Sequence, residues 1–202
     1  MLVYKGGYHL KSELILASTS PRRKELLQLA QIPFVIQKKG IDESVIITNN
    51  PAKKAEQLAI HKAMHVELTN QHDVILAADT IVAYNGDIYG KPKNYEEAFN
   101  ILSNLSGEKH EVYTGVAIHS KDKQLSFVEK TIVEFWPLST EEINDYILSN
   151  DPFDKAGAYG IQSNGAILVK QIIGDYYNVV GLPISRVVRE LKKFNINAVS
   201  NL

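Results

Sequence analysis

The sequence predicts an α/β fold built on a mixed sheet, from two observations. Short apolar runs of strand length alternate with stretches whose apolar residues recur at helical spacing. The alternation is irregular, and adjacent strand-like runs in the middle imply hairpins instead of repeated parallel crossovers. The 12 glycines and 7 prolines are scattered as turn punctuation, so no linker or hard domain boundary is visible.

Leu14-Ile15-Leu16-Ala17 suits a buried strand, and Ser18-Thr19-Ser20-Pro21 joins helix-capping residues to a proline fit for the first helical turn. The helix is expected from about Pro21 to Ala30, burying Leu26, Leu27 and Ala30. Asn50-Pro51 opens a second helix carrying Ala55, Leu58, Ala59, Ala63 and Val66 as an apolar stripe, with Lys62 beside it. Val74 to Ala78 should be a central strand ending at Asp79-Thr80. Ile81 to Tyr84, Asn85-Gly86-Asp87 and Ile88-Tyr89 spell a small hairpin. Asn94 with Glu97 forms a capping-box pattern before Ala98, Ile101, Leu102 and Leu105, and Gly107 stops that helix. Val112 to Pro137 resolves into two strands joined at Lys121-Asp122-Lys123. Ser139 and Glu142 repeat the capping pattern before Ile143, Tyr146 and Ile147. Asp151 to Ser163 is rich in glycine and charge, Ala166 to Ile173 is strand-like, and Ile184 to Phe194 is a last helix with Val187, Val188 and Leu191 inward.

Lys and Arg number 22 against 23 Asp and Glu, a formal net charge of -1. No global basic field of the kind that attracts nucleic acid exists, so any anion must be gripped locally. The absence of cysteine removes disulfides, thiolate metal sites and thiol catalysis. No run approaches the roughly 18 apolar residues of a membrane-spanning helix, and Met1 to Lys11 lacks the apolar core of a signal peptide. We expect a soluble, cytoplasmic protein with no membrane partner.

Four segments place polar chemistry at the ends of apolar elements. In Ser18-Thr19-Ser20-Pro21-Arg22-Arg23, hydroxyls and two guanidiniums stand at a helix N-terminus, whose free N-H groups and dipole favour an anion. Two arginines there oppose the dipole unless a phosphate resolves the conflict; a solvated basic turn is the alternative. Asp79, with Glu43 of Ile41-Asp42-Glu43 as a companion, could hold a divalent cation such as Mg2+, or serve as a turn or cap residue. Gly90-Lys91-Pro92 fails the Walker A pattern because Pro92 follows the lysine. Lys91, partnered by Lys62, can still act as a point charge on phosphate, a surface turn being the bland reading. In Asp154-Lys155-Ala156-Gly157-Ala158-Tyr159-Gly160-Ile161-Gln162, small residues allow close backbone approach and Gln162 offers both donor and acceptor, as a uracil or thymine edge requires; alone, a flexible loop would explain it. His61 and His65 have zinc-ligand spacing, but Lys62 stands where HExxH needs Glu. Asn104-Leu105-Ser106 matches a glycosylation sequon that the helix pattern already explains.

Together, Ser18-x-Ser20-Pro21-Arg22-Arg23, Ile41-Asp42-Glu43, Leu58-Ala59-x-x-Lys62-Ala63, Ala78-Asp79-Thr80, Gly90-Lys91-Pro92, the run from Asp154 to Gln162 and Asn178-Val179-Val180-Gly181-Leu182-Pro183 resemble, in order, the motifs of the Maf family of nucleoside triphosphate pyrophosphatases. Single motifs are weak; seven in register are specific. The resemblance covers about Leu14 to Phe194, giving a two-lobed domain at 14–194, an N-terminal extension at 1–13 and a C-terminal tail at 195–202. It implies an elongated fold like the inosine triphosphate pyrophosphatases, with a mixed sheet, flanking helices, a central cleft and a homodimer. It implies Asp79 as general base and Arg22, Thr80 and Gln162 as positions tied to base selection. Ser18, Ser20, Arg22, Arg23, Lys62 and Lys91 would then bind phosphate, Asp154 and Lys155 would complete the cleft, and Glu43 and Asp79 would share Mg2+ or Mn2+. The loop ending at Gln162 resembles the subgroup acting on dTTP and UTP. Two departures are Ser163-Asn164, where glycine is expected after the glutamine, and Tyr89, where a smaller or aliphatic residue is common.

The implied reaction is hydrolysis between the α and β phosphates, for which positioned cations and a metal are the natural catalysts. A free Asp titrates at about 3.9 and is a poor base at neutral pH, so Asp79 is expected to orient water acidified by a metal shared with Glu43. One rival is a nucleotide-binding regulator of cell division or septum formation, which needs the basic cradle but not the acidic pair. Another changes only the base, to 7-methyl-GTP or modified pyrimidine nucleotides.

Overall fold

The computed structural model describes residues 12–199. Residues 1–11 of the expected N-terminal extension and 200–202 of the expected tail lie outside it. The strands are β1 (Leu14–Leu16), β2 (Val35–Ile36), β3 (Val74–Tyr84), β4 (Asp87–Tyr89), β5 (Lys109–His119), β6 (Gln124–Phe135) and β7 (Val169–Ile173). The α-helices are α1 (Pro21–Leu29), α2 (Pro51–Met64), α3 (Tyr95–Leu105), α4 (Thr140–Leu148), α5 (Tyr176–Val180) and α6 (Ile184–Lys192).

One mixed sheet results, in the order β2-β1-β3-β5-β6-β7, with β4 added to β3. β1 is parallel to both β2 and β3, and every other pair is antiparallel. The α/β expectation with central hairpins therefore holds. The Asn85-Gly86 turn between β3 and β4 has φ of 52° and 88°, the left-handed pair that such a two-residue turn requires.

β5 pairs with β3 continuously from Ile75 to Ala83. The opposite edge of β3 is shared: β1 meets it only at Val74 to Leu76, and β4 only at Val82 to Tyr84. Between those contacts the edge carries no strand among the described residues, and Asp79 and Thr80 lie in that gap. The expected strand end at Asp79-Thr80 is thus corrected: the polar pair interrupts the apolar pattern without interrupting the strand, because β5 supplies the ladder hydrogen bonds throughout.

Side-chain alternation along β3 sorts the layers. On one face, Leu76 and Ala78 pack with Leu26 and Leu27 of α1, Val180 of α5 and Val187 and Leu191 of α6. Farther along the same face, Val82 joins Val112, Val133 and Phe135 with the apolar residues of α3 and α4. On the other face, Ile75 and Ala77 meet Ala59 and Ala63 of α2, while Ile81 meets Ala55 and Leu58. Asn94 and Ser139 cap α3 and α4 as expected, Asn94 Oδ1 accepting from the Glu97 N-H at 2.8 Å and Ser139 forming a full capping box with Glu142.

Two short elements are additional, β2 and α5. The strand expected over Ala166 to Ile173 begins only at Val169, because Asn164–Leu168 coils into a 3-10 turn. There Gly165 packs so closely that a Cβ would lie 2.8 Å from the Gly160 carbonyl oxygen. Ile196, within the expected tail, is buried against the α1 side of the sheet.

Candidate active site

The open edge of β3 borders a cleft of about 780 Å³, within the ordinary range for small-molecule sites. All twelve side chains singled out by sequence line it: Ser18, Ser20, Arg22, Arg23, Glu43, Lys62, Asp79, Thr80, Lys91, Asp154, Lys155 and Gln162. Although consecutive, Asp79 and Thr80 project to opposite faces of the sheet, so the cleft wraps around the strand.

On the α2 face, Lys62 donates a hydrogen bond to Asp79 and lies 2.9 Å from Glu43. Lys62 reaches Asp79 because the helix runs directly over the strand pair. Gly115, opposite Asp79 on β5, has no side chain to hold the helix off; a Cβ there would sit 2.2 Å from the Ala55 carbonyl oxygen. Glu43 is presented by a 3-10 turn, Glu43–Val45, capped by Asp42, which accepts from the Ser44 N-H at 2.9 Å. Burial opposes ionisation of Glu43, but its hydrogen bond to Lys62 and the charges of Lys62, Lys91 and Lys38 outweigh that and hold its pKa below the usual carboxylate value.

On the α1 face, Arg23 lines the cleft with three of its five N-H groups engaged by the protein. Its guanidinium donates to the Gly181 carbonyl at 2.9 Å, Ser18 Oγ at 3.3 Å and Thr80 Oγ1 at 3.2 Å. Burial lowers its pKa, Asp79 and Glu43 acting against that and Arg22 with it. Arg22 is freer, its guanidinium 3.5 Å from Asp154. Ser20 makes no side-chain cap bond to α1, so its hydroxyl and the N-H groups of the first turn are available to an anion.

Lys91 follows β4, and the neighbouring Gly90 carbonyl accepts from the Gly157 N-H at 3.0 Å, tying this segment to the 151–163 loop. Lys155 organises that loop. It is buried, and its ammonium contacts the Asp151 carbonyl at 2.7 Å, the Asp151 carboxylate at 2.9 Å and Asp154 at 2.6 Å. Three donors thus meet three acceptors, making Lys155 a loop clip. Ser163, one of the departures from the family pattern, reinforces the same loop through Asp151 at 2.6 Å. Tyr89, the other, lines the cleft and accepts from Asn104 at 3.2 Å. Gln162 is exposed at the cleft wall.

Sequence reasoning missed Lys38, Lys39 and Lys54, which also line the cleft. For Lys54 a signal existed: Lys53 and Lys54 begin α2 with no acidic residue in the first turn, the same conflict with the dipole that marks Arg22 and Arg23. Eight Lys and Arg against three carboxylates line a cleft in a chain of net charge -1. Such a surface suits a polyanion. Among the described residues no group of three or more His, Asp and Glu gathers as a metal centre. Glu43 and Asp79 fit a divalent ion only as a partial set, of the kind that substrate phosphates complete. His61 and His65 do not line the cleft.

The family model of Maf-like proteins matches residues 13–194 of this chain. The dTTP/UTP pyrophosphatase of Bacillus cereus strain ATCC 10987 is 54% identical over 195 residues, covering 96% of each chain. That of Bacillus cereus strain AH187 is 55% identical over 92% of this chain and 97% of the relative. Among solved structures, a HAM1 protein from Coxiella burnetii aligns with a TM-score of 0.48 at 15% identity, covering 90% of this chain and 99% of that one.

Proposed function

The chain belongs to the family of Maf-like proteins, and from that premise we propose that it is a nucleoside triphosphate pyrophosphatase that cleaves dTTP and UTP to the monophosphate and pyrophosphate. One observation carries the reading on the side of the structure: a strongly cationic cleft that nevertheless retains two carboxylates, Asp79 and Glu43, on a single lysine. A cleft that only bound the nucleotide would need the cations and not the acids.

Hydrolysis between the α and β phosphates requires water to approach a polyanion and charge to leave on pyrophosphate. Arg22, Lys62 and Lys91, all lining the cleft, would supply positive charge to offset that charge. Asp79, held in one orientation by Lys62, keeps a second carboxylate oxygen free to accept from the attacking water. Glu43 and Asp79 are the residues that would hold Mg2+ or Mn2+, which would lend Lewis acidity and lower the pKa of bound water. Gln162, exposed in the same cleft, is the residue whose amide would read the base, since it offers both a donor and an acceptor.

No helix among the described residues is long and apolar enough to cross a membrane, consistent with a cytoplasmic enzyme acting on the free nucleotide pool. A homodimer belongs to the same proposal. Trp136, Ile167 and Ile173 are exposed near β7, the last strand of the sheet, and supply an apolar surface for it; light scattering in solution tests it.

The deciding experiment measures pyrophosphate and monophosphate released from dTTP, UTP, CTP, GTP, ATP and 7-methyl-GTP, with Mg2+, Mn2+ or chelator. Metal-dependent cleavage favouring dTTP and UTP is expected. Binding without turnover across the panel would replace the enzyme by a nucleotide-binding regulator.

A further inference from the structure

Behind Thr80 runs a buried chain of hydroxyl groups whose direction follows from counting protons. Arg23 donates to Thr80 Oγ1 at 3.2 Å, the Thr80 and Thr114 hydroxyls lie 2.9 Å apart, and Thr114 Oγ1 is 3.0 Å from the backbone carbonyl of Asn178. A carbonyl only accepts, so the single proton of Thr114 goes to Asn178. Thr80 must therefore supply the proton between the two hydroxyls. With that proton used and one lone pair taken by Arg23, Thr80 keeps only a lone pair for the cleft.

The carbonyl that sets this direction is itself fixed. The Asn178 side chain is fully buried at 0% exposure and donates to the Val112 carbonyl and to Thr131 Oγ1, both at 3.0 Å. Thr131 in turn donates to the Asp175 carbonyl at 2.9 Å. Thr80 and Thr114 are direct cross-strand partners in β3 and β5, so the spacing of their hydroxyls is set by the sheet.

We propose that Thr114, backed by Asn178, is a positioning residue for base selection: it turns Thr80 into an acceptor-only group in the cleft. Such a group accepts the imide N-H of uracil or thymine and opposes cytosine, whose equivalent ring nitrogen is also an acceptor. This inference rests on the assignment of UTP and dTTP as substrates.

The test is the ratio of kcat/KM for UTP to that for CTP, in the wild type, Thr114→Val, Thr114→Ser and Thr80→Val. Thr114→Val releases the Thr80 proton, and the ratio is expected to fall about tenfold, partly through a gain on CTP. Thr114→Ser keeps the hydroxyl and should restore the wild-type ratio. A merely structural role would lower both activities together and leave the ratio alone. A wild type that prefers UTP while Thr114→Val keeps that preference overturns this inference alone. A wild type that cleaves both equally overturns the substrate assignment and the inference with it. Should Thr114→Val fail to fold, Thr80→Val decides: it removes the acceptor, and an unchanged ratio in that variant overturns the proposal.

Discussion

Gly115 lies directly across from Asp79 in the β3–β5 pair, and its missing side chain is what allows α2 to bring Lys62 onto that aspartate. Gly115→Ala would place a Cβ 2.2 Å from the Ala55 carbonyl oxygen. Backbone, not a flexible side-chain end, occupies that space, so the helix must move. We expect a loss of about 1–3 kcal/mol or more in stability and a fall in turnover as Lys62 withdraws. Thermal unfolding and pyrophosphate release measured on the same preparation check both; an active, fully stable variant would show that α2 does not need this approach.

Asp79→Asn should abolish turnover while leaving the fold intact, since the asparagine fits the same half-buried space and β5 continues to pair with the strand. A fall of at least about 10³-fold in kcat is expected if the carboxylate orients the attacking water. Nucleotide binding should survive, because the cations of the cleft are untouched. Isothermal titration beside a single-turnover assay separates the two, and substantial residual cleavage would remove Asp79 from the reaction.

How much of this was legible in the sequence depended on how far apart the partners lie in the chain. Asn94 with Glu97 and Ser139 with Glu142 are local devices and were readable as helix starts. The apolar runs gave β1 and most of β3, and seven motifs in register gave the cleft residues. The passage of β3 through Asp79 and Thr80 was not readable, because what stabilises those polar side chains mid-strand comes from Lys62, Arg23 and Thr114, distant in sequence. β2 has two residues, both exposed, and exists through its pairing with β1, so no periodicity could announce it. Lys155 looked like one more cleft cation; only the folded loop shows its ammonium turned onto Asp151 and Asp154.

His110 gives the fold a pH dependence of definite sign. It is fully buried, bonded at 2.8 Å to the Tyr159 hydroxyl, and burial lowers its pKa to about 4. In the unfolded chain an imidazole titrates at about 6.5, so between these values the unfolded state binds a proton that the folded state excludes. Stability is therefore fully present above pH 6.5 and declines as pH falls toward 4, by roughly 3 kcal/mol in total from this group. Denaturant unfolding across that window should show the decline, and His110→Gln should flatten it by up to about 1.4 kcal/mol per pH unit. An unchanged slope in the variant would assign the acid sensitivity to other groups.

Lys155 provides the clearest contrast between a structural and a phosphate-binding cation. Its three contacts on Asp151 and Asp154 hold the loop that carries Gln162 to the cleft wall. Asp151 also accepts from Tyr146 at 2.8 Å and lies 2.6 Å from Ser163, so the clip joins α4 to the loop. Lys155→Met keeps the volume and removes the charge, leaving two carboxylates facing each other without their cation. Breaking such a pair costs about 3–5 kcal/mol when fully buried; the exposure of Asp154, 63% at its side chain, puts the expectation toward about 2 kcal/mol after solvent screening. If Lys155 acts only through the loop, KM for UTP should rise and discrimination between bases should weaken, while kcat at saturation stays within a few-fold of the wild type. A kcat that collapses in a variant still folded by circular dichroism would instead place the ammonium on the substrate's phosphates.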